Sequence, residues 1–162
     1  METPAPIATS ICQVKVPVTD VERSARWYVA LLGLQLVREF VEEGVLAGAV
    51  LADQGGGGFM ISVRLRERIP GRPQMPGFDL FSLRVQDVEA LHALVTRCRE
   101  IGATHGDLVD RGSDGHHLDV TDPDGTNIRF LTPGTPDAPR FAGLVFSEDG
   151  PPTFYDQPRL QL

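Results

Sequence analysis

The chain has 162 residues, 41% hydrophobic and 23% charged, the composition of an ordinary globular fold. Fifteen Lys and Arg stand against 22 Asp and Glu, and a formal charge of −7 argues against nucleic acid or an anionic membrane as the main partner. No apolar run approaches the ~20 residues of a membrane span, the N-terminus lacks the basic start and apolar centre of a secretory signal, and two cysteines make neither a disulfide framework nor a Cys-x-x-Cys site; the expectation is a cytoplasmic protein.

The first predicted element is a strand. Val14, Val16 and Val18 alternate with polar neighbours, the period of a sheet with one buried face. Asp20 closes the run and suits a helix N-cap. Val21, Ala25, Tyr28, Val29 and Leu32 then fall on one helical stripe, which Gly33 stops. Three strand-like runs follow, at 34–41, 45–51 and 59–65, separated by Glu42-Glu43-Gly44 and by the tract 55–58. That glycine tract lacks the Gly-Lys-Ser/Thr ending of a phosphate loop and reads as a hairpin loop.

A linker at 69–77 holds Pro70, Pro73 and Pro76, and the pattern then repeats. Phe81, Leu83 and Val85 alternate and lead into Asp87-Val88-Glu89, the counterpart of Asp20-Val21-Glu22 sixty-seven residues earlier. Val88, Leu91, Val95 and Cys98 form the second helical stripe, stopped by Gly102. Strands are predicted at 104–109, 116–121 and 127–131, the last two joined by the turn Asp122-Pro123-Asp124-Gly125. The reading is therefore a first module at 10–68, a linker at 69–77, a second module at 78–133 and a Pro-rich tail at 134–162. In the tail one short strand at 141–146 and full disorder are both open, and Phe154, Tyr155 and Leu160 are placed to dock on the body or on a partner subunit.

A tandem βαβββ unit resembles the vicinal oxygen chelate superfamily, the glyoxalase, bleomycin-resistance and extradiol-dioxygenase group. Trp27-Tyr28 leading into Leu31-Leu32-Gly33 and the late Asp122-Pro123-Asp124-Gly125 add to the likeness. The resemblance implies an α+β fold: two modules whose mixed sheets curl into a cup, with helices on the outer face and ligand inside, in a homodimer.

The resemblance also implies a divalent metal held by His, Glu or Gln from the first and last strand of each module. The matching positions here hold Gln13, Leu80 and Arg129, with Met60 or Ser62 on the fourth strand. Leucine and guanidinium offer no lone pair to a cation, so the expectation is no metal and no cofactor. His92 reads as a solvated surface residue, and His105 has no evident partner. His116 and His117 are adjacent on a strand, point to opposite faces and cannot chelate together; one of them with Asp119 or Asp114 is the remaining route to a metal site.

If Gln13 faces the cup, alternation sets Lys15 and Pro17 beside it, with Met60, Ser62 and Arg64, with Leu80, Ser82 and Arg84, and with Asn127, Arg129 and Leu131. The opposite parity is apolar and belongs under the helices. This face gathers Lys15, Arg64, Arg84 and Arg129 with no acid among those positions. Arg129, in place of the family's carboxylate, either anchors a ligand or pairs with Asp119. Cys12 and Cys98 both read as core residues.

The expected activity is that of a metal-free small-molecule-binding protein, sequestering an anionic or aromatic compound in the manner of antibiotic resistance. Its candidate contacts are Gln13, Lys15, Met60, Ser62, Leu80, Ser82, Arg84, His117 and Arg129. Two alternatives remain: a metal-independent isomerase, cyclase or lyase with His116 or His117 as base and Arg129 stabilising an enolate, and a metal enzyme with rearranged ligands, using Gln13 and His116 or His117.

Overall fold

A computed structural model describes residues 7–8, 10–55, 58–139, 141–148 and 150–160. Part of the tract 55–58, and the extreme N-terminus, lie outside these residues. The chain is α+β with two βαβββ modules.

The first module runs β1 (Gln13–Val18), α1 (Val21–Leu32), β2 (Gln35–Glu42), β3 (Val45–Ala52) and β4 (Met60–Leu65). The second runs β5 (Asp79–Arg84), α2 (Val88–Ile101), the short pieces β6 (Thr104–His105) and β7 (Val109–Asp110), then β8 (His116–Thr121) and β9 (Asn127–Leu131). Each module makes its own sheet, ordered β1-β4-β3-β2 in the first and β5-β9-β8-β6 in the second, with β7 also on β8. In each, the first and last strands are parallel neighbours. The sequence predicts one strand at 104–109; an extra residue between His105 and Val109, relative to β8, divides it into β6 and β7.

Both helices begin and end as their sequences direct. Asp20 accepts a hydrogen bond from the Arg23 backbone N–H at 2.9 Å, and Asp87 from that of Ala90 at 2.9 Å. Gly33 and Gly102 close them in the left-handed region, at φ 70° and 68°. Val16, Val18, Ile61 and Val63 under α1 and Leu118, Val120, Ile128 and Phe130 under α2 belong to one continuous core, which also takes in Tyr28, Leu31, Leu91 and Cys98. Cys98 is buried as expected, and burial pushes its thiol pKa up. Cys12 is exposed, contrary to expectation, because β1 starts one residue after it.

The Asp122–Gly125 turn fastens the modules together. Buried Asp122 accepts the Tyr28 hydroxyl at 3.0 Å and the backbone N–H groups of Asp124 and Thr126, each at 2.9 Å. Asp124 accepts from the backbone N–H of Thr19 and pairs with Arg23 at 3.2 Å. Burial holds the Asp122 carboxyl above its ordinary range despite these donors, and raises the Tyr28 hydroxyl well above its own.

The Pro-rich tail is not irregular throughout. It forms an antiparallel hairpin of β10 (Gly143–Ser147) and β11 (Gly150–Tyr155). Tyr155 lies over Gly143, where any Cβ would fall 2.1 Å from the ring, and Phe141 meets the same ring edge-on at 6.0 Å.

Candidate functional site

The sheet face turned away from α1 forms a groove of about 510 Å³. Its floor follows from register: Gln13 lies beside Met60, Lys15 beside Ser62, and Val50 on the other side of Ser62. Ser62 is 1% exposed, and its hydroxyl has no hydrogen-bond partner. A buried hydroxyl is almost always paired, since leaving one unmade costs about 1–3 kcal/mol. Lys15 and Arg38 line the groove, and neither meets a carboxylate among the described residues.

Arg64 is held differently. Its guanidinium donates to Glu42 at 2.9 Å and to the Ala47 carbonyl at 3.4 Å, and sits 5.9 Å from the centre of the Phe40 ring. Gly48 makes this possible, because a Cβ there would lie 2.9 Å from Arg64 Cδ and 3.2 Å from Phe40. Three cations against one carboxylate leave this groove positive, with Phe40 and Met60 as its apolar surface.

The corresponding face of the second module has the opposite balance. Asp119 and Arg129 are cross-strand neighbours, as are His117 and Leu131. Arg129 binds Asp119 in a two-pronged pair, Nε–Oδ1 2.8 Å and the terminal nitrogen to Oδ2 2.9 Å, and reaches Asp79 with its other arm at 2.9 Å. The expected array of unopposed cations is therefore not found here: two carboxylates surround one guanidinium. Asp79 reaches this face because β5 changes register between Asp79 and Phe81. The same irregularity packs Leu80 against the core instead of setting it on the open face.

Arg129 holds the Asp119 carboxyl below its ordinary range, chiefly through the hydrogen bonds it donates. Between the two neighbouring histidines, His117 shares this face with Asp119 and Arg129. Desolvation, then the charge of Arg129, lowers its pKa, so the ring is neutral near pH 7, and its Nδ1 has no partner. His116 turns the other way, with Nε2 3.8 Å from Asp110. Ser82 is exposed next to Arg129, and Arg84, at the strand end, donates to the Thr132 carbonyl at 3.3 Å. His92 is exposed, and the His105 ring nitrogen Nδ1 lies 2.7 Å from the Gly106 carbonyl.

The structure thus brings Gln13, Lys15, Met60 and Ser62 together on one module, and Ser82, His117 and Arg129 on the other. The sequence reading missed Arg38, Phe40 and Glu42 in the groove wall and Asp79 beside Arg129. Strand β2 has apolar residues at both parities and two register shifts against β3, so alternation could not say which of its side chains faced inward.

Two of the four positions that would hold a metal cannot ligate one. Leu80 is packed into the core, Arg129 is bound to two acids, and no three His, Cys, Asp or Glu side chains converge among the described residues. No helix there is long and apolar enough to cross a membrane.

Residues 10–130 match the profile of the Glyoxalase/Bleomycin resistance protein/Dioxygenase superfamily, and the chain belongs to that family. Its fold is shared by TnmS3, an antibiotic binding protein from Streptomyces sp. CB03234, at 21% identity and a TM-score of 0.61, over 80% of this chain and 100% of that one. It is shared equally by lactoylglutathione lyase from Agrobacterium tumefaciens, at 14% identity and 0.61, over 78% and 96%. The fosfomycin resistance protein FosX from Listeria monocytogenes is similar at 11% identity and 0.58, over 82% and 98%. Among proteins of curated function, none matches the sequence.

Proposed function

We propose that this protein is a metal-free binder of small organic anions, holding an anionic aromatic compound in the first-module groove and acting as a cytoplasmic homodimer in the manner of the family's antibiotic-sequestering members. The observation behind this reading is the unpaired, fully buried Ser62 hydroxyl at the groove floor, beneath the unneutralised cations Lys15 and Arg38. A ligand with an anionic end and a polar ring substituent satisfies both, while Phe40 and Met60 supply the apolar contact. Gln13 adds an amide that donates or accepts. On this reading Arg129 is a structural ion pair that shapes the second face, and the positive charge that draws the ligand lies in the first module.

Native mass spectrometry of the protein purified from its own host tests the reading. A bound organic molecule, no divalent metal and two chains per particle are expected. Stoichiometric zinc, iron, manganese or nickel would overturn it.

One observation favours a second reading, a metal-independent isomerase, cyclase or lyase. His117 is neutral, has a free Nδ1 and stands beside Arg129, an arrangement suited to a base near a developing enolate. Replacing His117 by Gln separates the two: unchanged binding with turnover abolished establishes the enzyme, and unchanged binding with no turnover in either protein leaves the binder.

A further inference from the structure

Two apolar surfaces have no cover among the described residues, and each chain carries one of each. The first is the hairpin β10–β11. Its strands pack chiefly on each other, and none of its side chains joins the core. Leu144 and Phe154 face each other across it, with Phe154 69% exposed and Phe146 at its tip 78% exposed. A lone two-stranded hairpin is at best marginally stable in water, so a hairpin with this much exposed aromatic surface is expected to rest on something.

The second surface is a groove of about 360 Å³ on the helix side of the first module, lined by Val21, Ala25, Val29, Leu36, Leu46 and Leu51. It exists because a single helix is narrower than a four-stranded sheet. α1 packs mainly on β3 and β4 and little on the outermost strand β2. Val29, Leu36 and Leu46 are consequently left 36%, 55% and 37% exposed.

We propose that the C-terminal hairpin is an exchanged arm that seats Phe146 and Phe154 in the groove between α1 and β2–β3 of a second copy of this chain. Each chain has one arm and one groove, so two copies related by a two-fold axis fill both and leave no open end. With aromatic side chains burying about 150–250 Å² each, the four seated by two arms bury about 600–1,000 Å² of arm surface, and with the groove surface counted the total is on the order of 1,500 Å², the size of a stable interface. Side-chain packing, not strand pairing, makes the contact. β2 is a free sheet edge, but its two register shifts and its Arg38–Glu39 pair of charges oppose addition of another strand. The inference deepens the homodimer reading by naming the surfaces that make the dimer.

The test uses the full chain with a photoreactive benzophenone side chain in place of Phe146. Unlabelled and 15N-labelled protein are unfolded in urea, mixed, refolded together, irradiated and digested. Cross-links to the α1–β2 or β3 segments containing Val29, Leu36 and Leu46, with mixed-isotope pairs among them, are expected. Cross-links confined to single-isotope chains, cross-links to the second module, or none would overturn the arm. Analytical ultracentrifugation supplies the second readout. Phe146→Ser with Phe154→Ser, and separately Leu36→Ser, should each weaken the dimer about tenfold or more with the thermal transition retained. A dimer unaffected by these changes refutes the arm but leaves the homodimer standing; a monomeric wild type refutes both.

Discussion

At the scale of single residues, two buried side-chain atoms without a partner among the described residues, Ser62 Oγ and His117 Nδ1, are the most exacting features. Ser62→Ala removes a buried hydroxyl that has no partner in the free protein, so the free protein should gain about 1 kcal/mol, roughly 2–4 °C in thermal midpoint. Ligand affinity should fall about 3- to 10-fold, because the hydrogen bond made on binding is lost. Differential scanning fluorimetry and a binding titration together check the pair of opposite signs; a loss of stability would mean that the hydroxyl is satisfied within the fold. His117 makes a pH prediction. Its folded pKa lies below the unfolded value of about 6.5, so the native state binds fewer protons than the unfolded one in that window. Stability should therefore fall as pH drops below about 6.5, and His117→Gln should flatten that slope in denaturation measured between pH 7.5 and 5.5. Asp119 acts lower: its depressed pKa gives stability that is present above about 3.9 and is lost as pH falls through the folded value. Arg129→Met should cost more than an ordinary surface change, about 1–3 kcal/mol, since it leaves Asp79 and Asp119 unopposed on one face; a urea titration reads this directly.

At the scale of elements, the helices were legible because their signals are local. An Asp cap, an apolar stripe and a terminal glycine lie within one contiguous stretch, and the structure reproduces both helices with those caps. Strands were legible as elements, and the alternation on β1, β4 and β9 sets the expected side chains on one face because β1 and β4 pair without a register shift and β9 pairs so with β8. Parity failed on β2 and at the start of β5, where bulges flip which side chains face inward. That is why Phe40, Glu42 and Asp79 were missed and Leu80 was misassigned. The pairing of Tyr28 with Asp122 joins residues 94 positions apart and gives no sequence signal beyond the turn motif. It is also testable: Tyr28→Phe should destabilise the protein by about 1–2 kcal/mol, because a buried carboxylate loses a donor while the ring still fills its space. Urea denaturation of the two proteins measures this, and equal midpoints would show that the Tyr28–Asp122 bond adds nothing to the joint beyond the Asp124 contacts and apolar packing.

At the scale of the whole molecule, a net charge of −7 conceals a division between two faces. The first-module groove has three cations and one acid, whereas the second-module face has one guanidinium between two carboxylates. The unpaired positive charge lies in the first module, at Lys15 and Arg38, not at Arg129, where the sequence analysis had centred it. Composition could not reveal this, since pairing depends on which strands become neighbours. The decisive measurement is isothermal titration calorimetry with 1-hydroxy-2-naphthoate and its neutral carboxamide, on the wild-type protein and on Lys15→Gln with Arg38→Gln. The account predicts that the carboxylate binds more tightly than the carboxamide, that added salt weakens it, and that the double variant erases most of the difference. Equal affinity for the two compounds, or a preference for the carboxylate that survives the double substitution, would contradict it.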